Sequence, residues 1–426
     1  MSSICLYFQV HQPYRLKQYS FFSIGNDHQY EDENLNREIL NKVADKCYIP
    51  ANKKMLELIK RHGKKFKLSF SISGVAIEQF EKYRPDVLDS FKELANTGCV
   101  EFLAETYYHS LCYMYSKDEF VRQVDKHGAK IQQHFNQKPK VFRNTELIYN
   151  NEMADFVQRM GYKAILAEGV DRLLHGRTPN ILYSPPNNKK IKCLLKNHKL
   201  SDDVAFRFSD TNWSEYPLTA QKYADWLKIN SYQADTINLF MDYETFGEHQ
   251  WEGTGIFRFL DHLPEEVLKM EGFSFNTPSE VVDLYDAKGL YDAHHYTSWA
   301  DTERDLSAWL SNPMQSETLS KLYALEEDVK RLKNPHILEK WSKLQISDHF
   351  YYMCTKNWGD GMVHNYFSPY NSPYDSYIYF INALSDFELV LRKAIQKKKS
   401  EPVKVFVNRG PARPTSELNA ELEEEV

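Results

Sequence analysis

The chain has 426 residues, with 53 Lys and Arg against 59 Asp and Glu, a formal net charge of -6 and no long basic block. That balance argues against a nucleic-acid partner, and the short run Lys397-Lys398-Lys399 sits at a helix end, where cations suit the dipole. The length exceeds one ordinary single-core domain, and no segment approaches the roughly 18–20 apolar residues of a membrane span.

The N-terminal segment enters a strand directly, without the charged and apolar regions of a leader peptide. Strands are expected at 4–10, 67–72, 100–104, 140–143, 164–167, 192–195 and 236–241. Helix-period stretches lie between them, among them 51–62, 85–97, 117–136 and 151–160. Alternation of this kind implies a parallel sheet with helices outside, and about seven units suit an α/β barrel, closed or nearly so. Several strands deliver a polar group just past their carboxyl ends: His11, Glu78, Glu105 and His109, Glu146, Glu168, and Asp242. Barrels assemble active sites at those ends, because the loops there converge on one mouth.

Beyond 296 the spacing turns helical throughout, at 305–310, 317–332, 335–353 and 374–397, which predicts a helical bundle. The expected division is a catalytic barrel over 1–295, a bundle completing the cleft over 296–399, and a mobile acidic tail over 400–426. A polar and aromatic insert at 357–367 reads either as a helix connection packed by its own rings or as a lid over the mouth. The six cysteines, Cys5, Cys47, Cys99, Cys112, Cys193 and Cys354, are scattered and form no C-x-x-C pair. They read as reduced thiols of a cytoplasmic protein.

Two segments carry acids in an arrangement suited to chemistry. In Met241-Asp242-Tyr243-Glu244-Thr245-Phe246-Gly247-Glu248-His249, three carboxylates crowd the end of a strand, where like charges and desolvation raise one another's pKa. Asp242 is therefore expected to stay protonated as a general acid. In Val141-Phe142-Arg143-Asn144-Thr145-Glu146, the neighbouring Arg143 is expected to hold Glu146 ionised, as a nucleophile requires. The plainer reading of that pair is an ion pair stapling a loop. Two carboxyl groups pushed in opposite directions suit cleavage of a glycosidic bond.

His11-Gln12-Pro13, Gly74-Val75-Ala76-Ile77-Glu78-Gln79, Arg143 to Tyr149, Asp242 to Gly247 and Ser298-Trp299-Ala300-Asp301-Thr302-Glu303-Arg304-Asp305 resemble, in that order, the five signature regions of glycoside hydrolase family 57. The resemblance, nearest to the family's α-amylase-like group, runs from residue 4 to about 390. It implies an incomplete (β/α)7 barrel followed by helices, with Glu146 as nucleophile and Asp242 as acid/base of a retaining double displacement on α-1,4-glucans. His11 and Glu78 are implied in the sugar cleft. Gln12, Arg143, Glu244, Trp299, Asp301, Trp358 and His364 are the further residues expected to meet an α-glucan or maltooligosaccharide. One departure stands out: many members follow the nucleophile with arginine, where this chain has Leu147.

Neither cofactor nor metal is expected. Metal-dependent deacetylases need an aspartate and two histidines, whereas no acid adjoins His11 in sequence. His127 and His134, a heptad apart, read as residues on the outside of a helix. The alternatives are 4-α-glucanotransfer or glucan branching on the same site, and a glycan-binding protein that has lost turnover while keeping aromatics such as Trp251, Trp299 and Trp358.

Overall fold

The computed structural model describes residues 2–356, 364 and 366–400. Its framework is a set of parallel strands: β1 (Ser2–Val10), β2 (Leu68–Ile72), β3 (Val100–Phe102), β4 (Val141–Arg143), β5 (Ala164–Glu168), β6 (Tyr183–Ser184), β7 (Lys192–Lys196), β8 (Thr236–Asp242), β9 (Phe273–Phe275) and β10 (Gly289–Leu290). One sheet runs β3-β2-β1-β8, with β9 on the first residues of β1, and the other runs β10-β6-β7-β5-β4. All pairs are parallel except β6 with β7. The seven expected strands are all present within two residues at either end, while β6, β9 and β10 were not anticipated.

Backbone bonds join the edges of the two sheets. Ala104 N–H donates to the Val141 carbonyl at 3.0 Å and Arg143 N–H to the Ala104 carbonyl at 2.8 Å, linking the end of β3 to β4. On the other side Asn197 N–H donates to the Asn238 carbonyl at 2.9 Å, linking β7 to β8. Strand period does the rest. Ile4, Leu6, Phe8 and Val10 face helices in one apolar cluster, whereas the alternate residues Cys5 and Tyr7 meet Leu103, Val141, Leu166, Leu194 and Phe240 in another. The buried thiols are all free, as the sequence implied.

Local chemistry sets the helix ends. Ser116 accepts from Glu119 N–H to start the helix Lys117–Phe135, and Asn136, at φ 52°, ends it in the left-handed region. The C-terminal helices Pro313–Ala324, Glu326–Leu332, Pro335–Lys343 and Pro373–Ser400 share one buried cluster with residues outside β4 and β5, including Tyr149, Met153, Trp309, Trp341 and Phe387. The helix expected over 335–353 breaks into Pro335–Lys343 and Asp348–Tyr351. Between the pieces Ile346 bridges Ser110, and Ser347 N–H donates to the His109 carbonyl at 3.0 Å. Among the described residues no helix is long and apolar enough to cross a membrane. The proposed tail beyond Ser400 and most of the 357–367 insert, Trp358 included, lie outside the described residues.

Candidate active site

Every strand of the joined edge-to-edge series brings a polar side chain to the same end. His109, after β3, is the hub. Its Nε2 lies 2.8 Å from Glu146 Oε1 and its Nδ1 lies 3.0 Å from Glu105 Oε2. Both partners only accept, so both ring nitrogens donate and the ring is an imidazolium. Burial pulls its pKa down, but the two carboxylate bonds outweigh that and lift it to about 9. Glu105 is pushed up by burial and, against that, held at about 2 by His109.

Glu146 follows β4 in a turn with φ 55°, and the next residue, Leu147, is also left-handed at φ 52°. Neither is glycine, and such conformations cost about 1–3 kcal/mol each and cluster where function demands them. His109 and Asp301, at φ 50° and 53°, share the same region. Burial raises the Glu146 carboxyl, but the bond to His109, the charges of His109 and Arg143, and a bond from Trp299 hold it below the usual carboxylate range. Trp299 Nε1–H donates to Glu146 Oε2 at 2.7 Å, and Trp299 N–H to the Glu146 carbonyl at 3.1 Å.

Arg143 plays a different part from the one expected. It forms no hydrogen bond to Glu146; its fully buried guanidinium lies 5.0 Å from the Trp299 ring, and none of its nitrogens has a hydrogen-bond partner. Lys196, at the end of β7, sits 5.2 Å from the same ring. The loop-stapling ion pair is thus absent, and His109 rather than Arg143 is the main group keeping Glu146 ionised.

Asp242 ends β8. Burial raises its pKa first and the Glu146 charge second, and against the pull of Arg143 and Lys196 the result is about 6. Glu244, two residues on, points to another layer. Tyr48 OH donates to it, Gln12 Nε2 does so at 3.4 Å, and burial together with Asp242 lifts it to about 8.

His11 stacks on His109 with ring centroids 4.0 Å apart. Its Nδ1 lies 2.7 Å from Ser73 Oγ and its Nε2 2.9 Å from Asp348 Oδ2. Burial, then the His109 charge, lowers its pKa, which suits a neutral ring donating from Nε2 to Asp348 and accepting from Ser73. The absence of an acid beside His11, read from sequence, is therefore corrected: Asp348 arrives from 337 residues away because the helix breaks before it. Among the described residues no cluster of three or more His, Cys, Asp or Glu is placed to hold a metal ion.

The remaining expected residues separate. Glu78 lies within the helix Gly74–Tyr83 and accepts from Tyr107 OH at 2.7 Å, in a cluster with Lys126. Asp301 pairs with Lys356 at 3.0 Å and with His364 at 3.2 Å, and His364 stacks on Tyr351. Burial lowers His364, but Asp301 and Cys354 raise it to about 9. Trp251 is 58% exposed. His127 is a correction: it is fully buried, with Nε2 2.9 Å from the Ile72 carbonyl and Nδ1 accepting from Glu105 N–H at 3.3 Å. Half-buried His134 pairs with Glu81.

The family model described as Glycosyl hydrolase family 57 matches residues 5–294. The protein named "Putative alpha-amylase" of Methanocaldococcus jannaschii is 45% identical over 405 residues, 92% of this chain and 85% of that one. Among solved structures, the branching enzyme of Thermococcus kodakaraensis superposes with a TM-score of 0.68 at 14% identity, covering 94% of this chain and 92% of its own. The alpha-amylase AmyC of Thermotoga maritima gives 0.61 at 13%, covering 93% and 95%. At such identities the structures speak for the fold, which amylase and branching enzyme share. The profile match over more than half the chain and the identity to the Methanocaldococcus protein establish the rest: the chain belongs to glycosyl hydrolase family 57 and is an α-amylase-like glycoside hydrolase.

Proposed function

We propose that the chain cleaves α-1,4-glucans with retention of configuration, with Glu146 as nucleophile and Asp242 as acid/base. The observation that carries this is the opposite displacement of two half-buried carboxyls. Glu146 is held ionised by His109 and Trp299, while Asp242 is raised to about 6. In the first step Glu146 attacks C1 of the glucose unit, the glycosidic C–O bond breaks, and the leaving oxygen takes the Asp242 proton. In the second, Asp242 removes a proton from water, whose oxygen attacks C1 and frees Glu146. A sugar hydroxyl in place of that water gives transfer or branching instead.

In the same reading, the seven strands joined edge to edge are an incomplete (β/α)7 barrel over 1–295, and 296–399 is a helical bundle that finishes its cleft. Trp299, Asp348 and Asp301 are the bundle's contributions. Incubation with maltoheptaose tests the function. Shorter products alone, released first as the α-anomer by proton NMR, are expected. Longer oligosaccharides would make it a transferase, new α-1,6 linkages a branching enzyme, and no product a binding protein.

A further inference from the structure

We propose that a groove on the flank of the strand ring, lined by neither Glu146 nor Asp242, is a second binding site for a neutral α-glucan segment. The proposal rests on the glucan reading above and adds a site to it. The groove encloses about 740 Å³, within the roughly 300–1,000 Å³ usual for ligand pockets.

Its walls carry two half-buried tryptophans, Trp213 and Trp226, with ring centroids 5.9 Å apart at 75°. Arg207 lies 5.8 Å from the first ring and Lys222 5.6 Å from the second. Both cations are tethered, Arg207 to Asp203 at 2.6 Å and Lys222 to Glu215 at 2.7 Å. Rings fixed in this way form a platform that loses little freedom when a ligand stacks on it. The hydrogen-bearing faces of glucose stack on indoles in that manner.

Charge selects the ligand class. The lining offers acids at Asp171, Asp203 and Glu215, and donors at Arg177, His198 and Lys199. With Asp203 paired to Arg207 and Glu215 to Lys222, the walls carry charges of both signs and no one-sign field that would single out an anion or a cation. A neutral polyol can donate to the acids and accept from the bases at once. Ile229 in the lining, and Tyr216 next to Glu215 in sequence, are exposed apolar side chains.

The groove is wired to the cleft. His198 on its wall lies 3.8 Å from Glu168, which pairs with Lys196 and Arg304 at 3.6 Å each. Lys196 lies over the Trp299 ring and Arg304 donates to the Trp299 carbonyl. A polymer held in the groove therefore lies two ion pairs from the tryptophan that holds Glu146.

Native gel electrophoresis through amylose, run beside kcat/KM on maltotriose, tests this. Trp226→Ala and Ile229→Glu, the latter at a position 73% exposed and so harmless to folding, are expected to weaken amylose retardation about tenfold, the scale of losing an aromatic anchor. Their kcat/KM on maltotriose is expected to stay within twofold of wild type. Retardation of Ile229→Glu equal to wild type, with maltotriose still cleaved, would overturn the groove and leave the catalytic reading standing. A wild type that neither binds amylose nor cleaves maltotriose would overturn both.

Discussion

Trp299 holds Glu146 twice, by its indole N–H to Oε2 at 2.7 Å and by its backbone N–H to the carbonyl at 3.1 Å. The residue lies 153 positions further along the chain, in a segment zipped to Tyr149 through reciprocal bonds with Thr297. The acid proposed to attack the sugar is thus oriented by chain outside the strand that carries it.

Replacing that indole isolates the contribution. Trp299→Phe keeps the ring and removes one hydrogen bond to a carboxylate, a bond of about 1.5–3 kcal/mol. The expected loss in kcat/KM on maltoheptaose is roughly 10- to 150-fold. An unchanged value would show that the bond does not serve the reaction.

Glu146→Gln is expected to lower kcat by about 10⁴-fold or more while maltoheptaose still binds in calorimetry, because an amide cannot form the glycosyl ester. Asp242→Asn should suffer less on an aryl glycoside with a good leaving group than on maltoheptaose. The reverse ranking on the aryl glycoside would exchange the two roles.

The pH dependence has a definite shape. In the proposed mechanism Glu146 acts ionised, and its pKa lies below the ordinary glutamate range; Asp242 acts protonated, and its pKa is raised to about 6. The profile of kcat/KM should therefore be a bell whose alkaline limb falls near pH 6 and whose acid limb lies well below it. His109→Gln removes the cation that depresses Glu146, so the acid limb should move to higher pH. An acid limb left in place would show that His109 does not set the Glu146 pKa.

A chain ending before Tyr296 loses Trp299 and Asp348 together and uncovers the apolar faces that meet Trp309 and Trp341. It should be inactive and melt well below the full chain by circular dichroism. Full activity in that fragment would make the helices a separable module.

Activity should also survive prolonged chelation, since the proposed chemistry runs on two carboxyls. Loss restored by zinc would move the assignment to a metal-activated hydrolase.

The strands and the acids were legible because their signals are local. Short apolar runs ended near the polar residues of the candidate site, and both Glu146 and Asp242 lie at or just past the ends of such runs. Asp348 gave no such signal: its partner His11 is 337 positions away, and its placement depends on the Ile346–Ser110 bridge that interrupts a helix-period stretch. The left-handed backbone at Glu146 and Leu147 was equally invisible, because neither is a residue that prefers it. His127 could have been found. It continues the buried stripe Phe120, Val124, Ile131 of its helix, and pairing it with His134 by heptad spacing hid that.

The consecutive left-handed residues Glu146 and Leu147 set endurance against turnover. Glycine at either position would relax the turn, and at 146 it would also strip His109 and Trp299 of their carboxylate partner. Heat resistance alone is accordingly a poor guide at the residue proposed to attack the sugar, since a glycine there relaxes the backbone and ends the proposed chemistry together. A screen for sturdier variants of this protein must therefore score activity as well as the fraction that stays folded.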